Sequence, residues 1–208
     1  MTATTLKFDK GRLQSLSDGV FAIVMTLLVL DLIEDDVLSA VSARELHGAL
    51  LALWPKVISY AISFAVAARY WVAQHVMTHY VAHTDLRFIW LNILFLFWIS
   101  LLPFSAALLG EHHRYAVAEI VYGLNMLLII LSLNACWGYA TRQAGLSAGD
   151  KAPDFLRKVR RRRLLAPLVY VLGILASPVN PHLTYAIYVG VAVLSVVMSG
   201  LDKRSLPL

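Results

Sequence analysis

Charge is scarce in this chain of 208 residues, and cysteine scarcer still. Cys136, the single cysteine, excludes an intrachain disulfide and leaves the redox compartment open. Charged residues make up 15% of the chain and hydrophobic ones 59%, where a soluble domain runs at roughly 25% and about 45–50%. That imbalance excludes a soluble globular domain and leaves no room for one beside the apolar runs. Also missing are a Gly-rich phosphate loop, a nucleophile elbow and an HExxH pair, so the chemistries those motifs serve have no foothold. No T-V-G-Y-G run occurs, and Gly138-Tyr139 lacks the residues that would precede it. A ring of filter carbonyls replacing the hydration shell of a cation is therefore not supported.

What is present is apolar sequence in runs. Six segments predict an all-α integral membrane protein: Leu16–Ile33, Trp54–Met77 with an amphipathic lead-in from Ser42, Phe88–Leu109, Ala116–Ala140, Leu164–Val179 and Leu183–Leu201. A spanning helix needs ~20 apolar residues, and only a helix satisfies its own backbone polar groups within one segment in lipid. The fifth segment is short, with Pro167 and Pro178 bounding or bending it, so a re-entrant path is open to it. The expected unit is one six-helix domain over residues 1–208, embedded in the lipid bilayer.

Loop charge sets the orientation. Lys7, Lys10 and Arg12 precede the first segment, Arg142, Lys151, Arg157, Lys158 and the run Arg160 to Arg163 fall between the fourth and fifth, and Lys203 and Arg204 follow the sixth. The basic loops share one side, which the positive-inside rule makes cytoplasmic, so both termini are expected there in a cell-membrane protein with an even number of crossings. The net charge of +5 is thereby read as topology, not as a nucleic-acid surface. Asp18 and Asp31 interrupt the first apolar run, so it is expected to be retained, not cleaved as a leader.

The first segment carries the most information. At about 100° per residue, Ile23, Leu27, Leu30 and Glu34 share one narrow face, extended by Leu16 and Gly19 and flanked by Thr26. Asp18 points nearly the opposite way, and Ser17 is also off that face. A carboxylate at this depth costs ~2.5–3.5 kcal/mol on insertion scales, so it is expected to face protein and to find partners on other helices. Trp71 and His75 on the second segment and Asn92 on the third are the candidates. By itself the aliphatic stripe reads more readily as a lipid-facing or core surface than as a pore lining.

The stretch RLQSLSD, Arg12 to Asp18, resembles the RxxxFSD signature of the transmembrane protein 175 family of lysosomal and prokaryotic potassium channels, with Leu16 in place of the phenylalanine. YAISFAVAARYWVAQH and LNILFLFWISLLPFSAALL are similar to the second and third helices of that family in order and spacing. The resemblance implies a six-helix subunit, a homotetramer, and a first helix lining a central pore for potassium and other monovalent cations, with no cofactor. It implies that Ile23 forms a hydrophobic constriction continued by Leu27 and Leu30, and that Thr26 is associated with selectivity. Arg12, Ser17 and Asp18, with Trp71, His75 and Asn92, would form a structural or gating network. Glu34, Asp35 and Asp36 would ring the outer mouth and raise the local cation concentration. Val24, about 100° round from Ile23, is expected to tolerate polar replacement.

Two other readings compete. A secondary transporter would show internal repeats or broken helices at mid-membrane, and RLQSLSD does not recur. A membrane-embedded metal enzyme would draw on His75, His79 and His83, spaced four apart, with Asp85. The helix is expected to end near there, and the site is read as holding no metal.

Overall fold

The computed structural model describes residues 9–33, 35–39, 41–81, 84–112, 114–142 and 167–201. Lys7, Glu34, His83, the basic stretch from Lys151 to Arg163, Lys203 and Arg204 lie outside them, as do the side chains of Asp35 and Asp36.

Every element among the described residues is helical. Helix α1 spans Lys10–Leu27 and starts where the Asp9 carboxylate accepts the Gly11 N–H at 2.9 Å, satisfying one of the donors that a helix start leaves open. It tightens into a 3₁₀ helix over Leu28–Leu32. Helix α2 is the single turn Asp35–Leu38. Helix α3, Ala43–Ala52, is capped by Ser42, whose hydroxyl accepts from Glu45 N at 3.2 Å, while the Glu45 carboxylate accepts from Val41 N at 3.1 Å. Helix α4 runs Trp54–Tyr80. Helices α5, Leu86–Ser100, and α6, Leu102–His112, follow one another with a break at Leu101, beside Pro103, which has no N–H to give to the ladder. Helix α7 is Ala116–Arg142 and α8 is Pro167–Ala176. Helix α9, Pro181–Leu201, begins where Asn180 Oδ1 accepts Leu183 N at 3.1 Å, with proline in the first helical position that suits it.

Three spans among the described residues are long and apolar enough to cross a bilayer: Lys10–Leu32, Leu86–His112 and Ala116–Arg142. A fourth results if Ala43–Ala52 and Lys56–His79, bent by 49°, are one span. The described part of helix α8, 10 residues, rises about 15 Å, half of a hydrocarbon core of ~30 Å.

Helices α1, α4, α5 and α7 form the centre of the bundle, α5 packing along α7 and α1 along α4. Phe21 and Val24 of α1, Ala67 and Met77 of α4, Phe95 and Ile99 of α5, and Met126 and Ile129 of α7 are all buried in it. The Phe21 and Phe95 rings stand 6.1 Å apart. Lipid tails are as apolar as these side chains, so dispersion and interhelical hydrogen bonds, not withdrawal from water, hold the contacts. Helix α9 docks on α4 and α7 through Tyr188, which is buried. Gly123 and Gly173 make that approach feasible, because a Cβ at either would collide with the Tyr188 side chain.

Candidate pore face and polar junction

The buried arc of α1 consists of Leu13, Ser17, Phe21 and Val24, extended by Leu28 of the 3₁₀ turn. The opposite arc is uncovered in the single subunit: Leu16, Ile23, Leu27 and Leu30 are exposed, and so are Gly19 and Thr26. Ile23 is 60% accessible and Leu30 54%, values otherwise met on the outside of the bundle. The 3₁₀ turn does not scatter the stripe. Residues three apart eclipse one another in that geometry, so Leu30 stays stacked over Leu27. The Thr26 hydroxyl donates to Ile23 O at 2.8 Å, which fixes the side chain against its own helix and leaves its lone pairs outward.

This face is not uniformly apolar. Asp18 lies at its edge, exposed in the single subunit, with Oδ1 accepting the Trp71 indole N–H at 2.8 Å. Arg12 is exposed further toward the N-terminus, with no ion pair among the described residues. A carboxylate and an arginine on an open arc suit water or a neighbouring subunit far better than hydrocarbon.

The polar residues divide into two groups. Ser17 is buried, donates to Leu13 O at 2.9 Å, and accepts from Gln74 Nε2 at 2.5 Å. Gln74 Nε2 also donates to Asn92 Oδ1 at 3.1 Å, tying α1, α4 and α5 at one point. The Asp18–Trp71 bond is the second group, with the His75 ring beside the Trp71 indole at 5.6 Å between centroids. Arg12 joins neither. Gln14 adds a further tie, donating to Thr78 Oγ1 at 3.3 Å.

Gln74 and Gln14 were not among the residues singled out from sequence, although a glutamine inside an apolar helix is itself a signal in a membrane protein. Glu119 on α7, fully buried and close to Tyr188, is another such residue. The position of Val24 is a correction. It is 2% exposed in the core, so it is not a neutral site for polar replacement. Asp85 is occupied structurally: it caps α5 by accepting Phe88 N at 2.9 Å and accepts the Tyr139 hydroxyl. No cluster able to hold a metal occurs among the described residues.

A helical membrane bundle with one helix exposing an aliphatic stripe edged by a carboxylate has a form that suits a membrane channel. The comparisons with known proteins agree. Residues 12–103 match the family described as endosomal/lysosomal potassium channel TMEM175. A potassium channel of Streptomyces collinus is 36% identical over 182 residues, covering 86% of this chain and 87% of that one. A potassium channel of Chamaesiphon minutus is 32% identical, covering 86% and 89%. The crystal structure of a lysosomal potassium-selective channel TMEM175 homolog from Chamaesiphon minutus superposes with a TM-score of 0.74 at 30% identity, covering 91% and 97%. The chain belongs to the TMEM175 family. Its members are ion channels, and the metal-enzyme reading ends there.

Proposed function

We propose that this protein is a potassium-permeable cation channel of the leak type, gated at an aliphatic constriction on α1. The observation that carries the proposal is the uncovered arc of α1, where Leu16, Ile23, Leu27 and Leu30 stand exposed beside Thr26 and Asp18. One helix cannot enclose a pore, so the arc needs symmetric copies, and a homotetramer is the proposed assembly. Each subunit is then a single domain over residues 1–208 that crosses the cell membrane six times, both termini cytoplasmic, the short α8 taking part in the fifth crossing.

In that arrangement Ile23 forms the narrowest ring, with Leu27 and Leu30 above it. Water in a narrow apolar tube gives up hydrogen bonds it cannot replace, so such a ring closes by dewetting. Thr26 offers hydroxyl oxygens beside the constriction, and any preference for potassium arises there. Glu34, Asp35 and Asp36 follow the apolar run of the first segment in the sequence, and the proposed pore has them at its outer mouth, concentrating cations. Asp18 and Trp71 hold α1 against α4, with His75 beside them and Ser17 and Asn92 in the neighbouring junction. Arg12 lies at the cytoplasmic end of the same helix, bonded to neither group within the subunit, and is left to meet a neighbouring copy.

The purified protein in potassium-loaded liposomes tests this reading. Potassium efflux above that of protein-free liposomes, and a native mass of four subunits in mild detergent, are expected. A monomer that still carries flux overturns the pore. External labelling of a cysteine introduced at position 4 or 206 in intact cells overturns the topology.

A further inference from the structure

Three side-chain ties join α1 to α4 in antiparallel order: Gln14 to Thr78, Ser17 to Gln74, and Asp18 to Trp71. The middle one differs from the others. Gln74 is 2% exposed, and its amide nitrogen serves two helices at once, Ser17 Oγ on α1 and Asn92 Oδ1 on α5. The Ser17 hydroxyl is in turn committed to Leu13 O of its own helix, so the lone pair that Gln74 meets points in a fixed direction. Asn92 is fully buried, and its Nδ2 has no partner among the described residues. It therefore depends on Gln74 for the one side-chain bond it makes there.

We propose that Gln74 is a positioning residue that sets the rotation of α1 about its own axis, and with it the direction in which Ile23 points. The bond to Ser17 fixes the azimuth of α1, and the bond to Asn92 anchors that azimuth to α5. Ser17 lies about 120° round the helix from Ile23, so the two move as one rigid body. Helix side chains reach ~5–6 Å from the axis, so a rotation of about 30° swings the tip of Ile23 by about 3 Å. A ring of branched side chains does not stay closed through such a shift. The two other ties cannot substitute, because Gln14–Thr78 at 3.3 Å and Asp18–Trp71 at the helix edge join α1 to α4 alone and neither reaches α5.

The functional consequence rests on the pore-face reading above; the rotation itself does not. Gln74→Met keeps length and bulk and removes both donors. The readout is the rate at which a water-soluble thiol reagent modifies Ile23→Cys in liposomes, with Cys136 buried and silent. Loss of two interhelical hydrogen bonds corresponds to roughly a tenfold shift in a conformational equilibrium. The modification rate is expected to rise about tenfold in Gln74→Met, with the oligomer intact. Ser17→Ala and Asn92→Leu each cut one bond and should raise the rate in the same direction. Ser17→Ala combined with Gln74→Met should go no further than Gln74→Met alone. If Gln74→Met fails to assemble, the single-bond variants decide the matter. An unchanged rate at residue 23 in Gln74→Met, or in both single-bond variants, alongside a mere loss of thermal stability, overturns the proposal. If modification at residue 23 proceeds but leaves flux untouched, the pore-face reading fails instead, and Gln74 is judged on the rates alone.

Discussion

Replacing Trp71 by phenylalanine removes one N–H and little bulk, and its consequence can be sized in advance. The Trp71 indole donates to Asp18 Oδ1 at 2.8 Å. A hydrogen bond to a charged group contributes about 1.5–3 kcal/mol, against ~0.2–1 kcal/mol for an interaction fully bathed in water. Asp18 is exposed in the single subunit; in the proposed tetramer a neighbouring copy covers it, and on that reading the charged-group range applies. SDS-induced unfolding in mixed micelles gives the free energies for Trp71→Phe, Asp18→Asn and the pair. Each single variant should lose about 1.5–3 kcal/mol per subunit, and the double variant little more than either. Whatever flux survives should keep its potassium-to-sodium ratio, because Asp18 is off the Ile23 stripe. Additivity within about 0.5 kcal/mol would show that the two side chains do not act on each other. Normal assembly with an altered ion preference would place Asp18 on the conduction path and refute the reasoning outright.

Other expectations concern packing. Val24→Asn buries an amide in the core of the bundle and should cost about 1–3 kcal/mol in the same unfolding assay; a neutral result would mean that α1 is turned the other way. A Cβ at Gly123 meets the Tyr188 hydroxyl first and an Ile174 methylene at 2.8 Å, whereas one at Gly173 meets the ring carbons. Tyr188→Phe should therefore relieve part of the cost of Gly123→Ala, which alone is about 1–3 kcal/mol, and less of that of Gly173→Ala, where the ring itself is nearest. Asp85→Ala removes the cap of α5 and the acceptor for Tyr139 together, and should cost about 1–2 kcal/mol; Asp85→Asn should recover most of it, and equal losses in the two would contradict the capping role.

The period of the first helix already separated the Ile23 stripe from Ser17 and Asp18, because 3.6 residues per turn is a property of the backbone and holds in any solvent. Which apolar arc faces inward was harder. In water the apolar arc is the core arc, but in a membrane core, lipid and pore faces are all apolar. Val24 and Ile23 are equally hydrophobic neighbours, and nothing in their chemistry says that one is 2% and the other 60% exposed. The Asp18–Trp71 contact was legible because polar groups in lipid must find partners, but Asn92, expected beside Asp18 as well, bonds Gln74 instead. Gln74 obeys the same rule, and its two bonds to Ser17 and Asn92 follow from it as well. The tightening at Leu28–Leu32 had no proline or glycine to announce it.

Flux through one pair of substitutions bears most directly on the claim that α1 lines a pore. Ile23 on α1 is 60% exposed and Leu172 on α8 is 56% exposed, so solvent accessibility does not distinguish them. Only the first faces the proposed pore. Potassium and sodium flux should be measured in liposomes at matched protein density for the parent, Ile23→Asn and Leu172→Asn. An amide on the constriction lets water in, so Ile23→Asn should raise cation flux and weaken any potassium preference, while Leu172→Asn should leave the flux of assembled channels at the parental level. Flux that rises in Leu172→Asn and not in Ile23→Asn, or that changes in neither, contradicts the assignment of the α1 stripe as the pore.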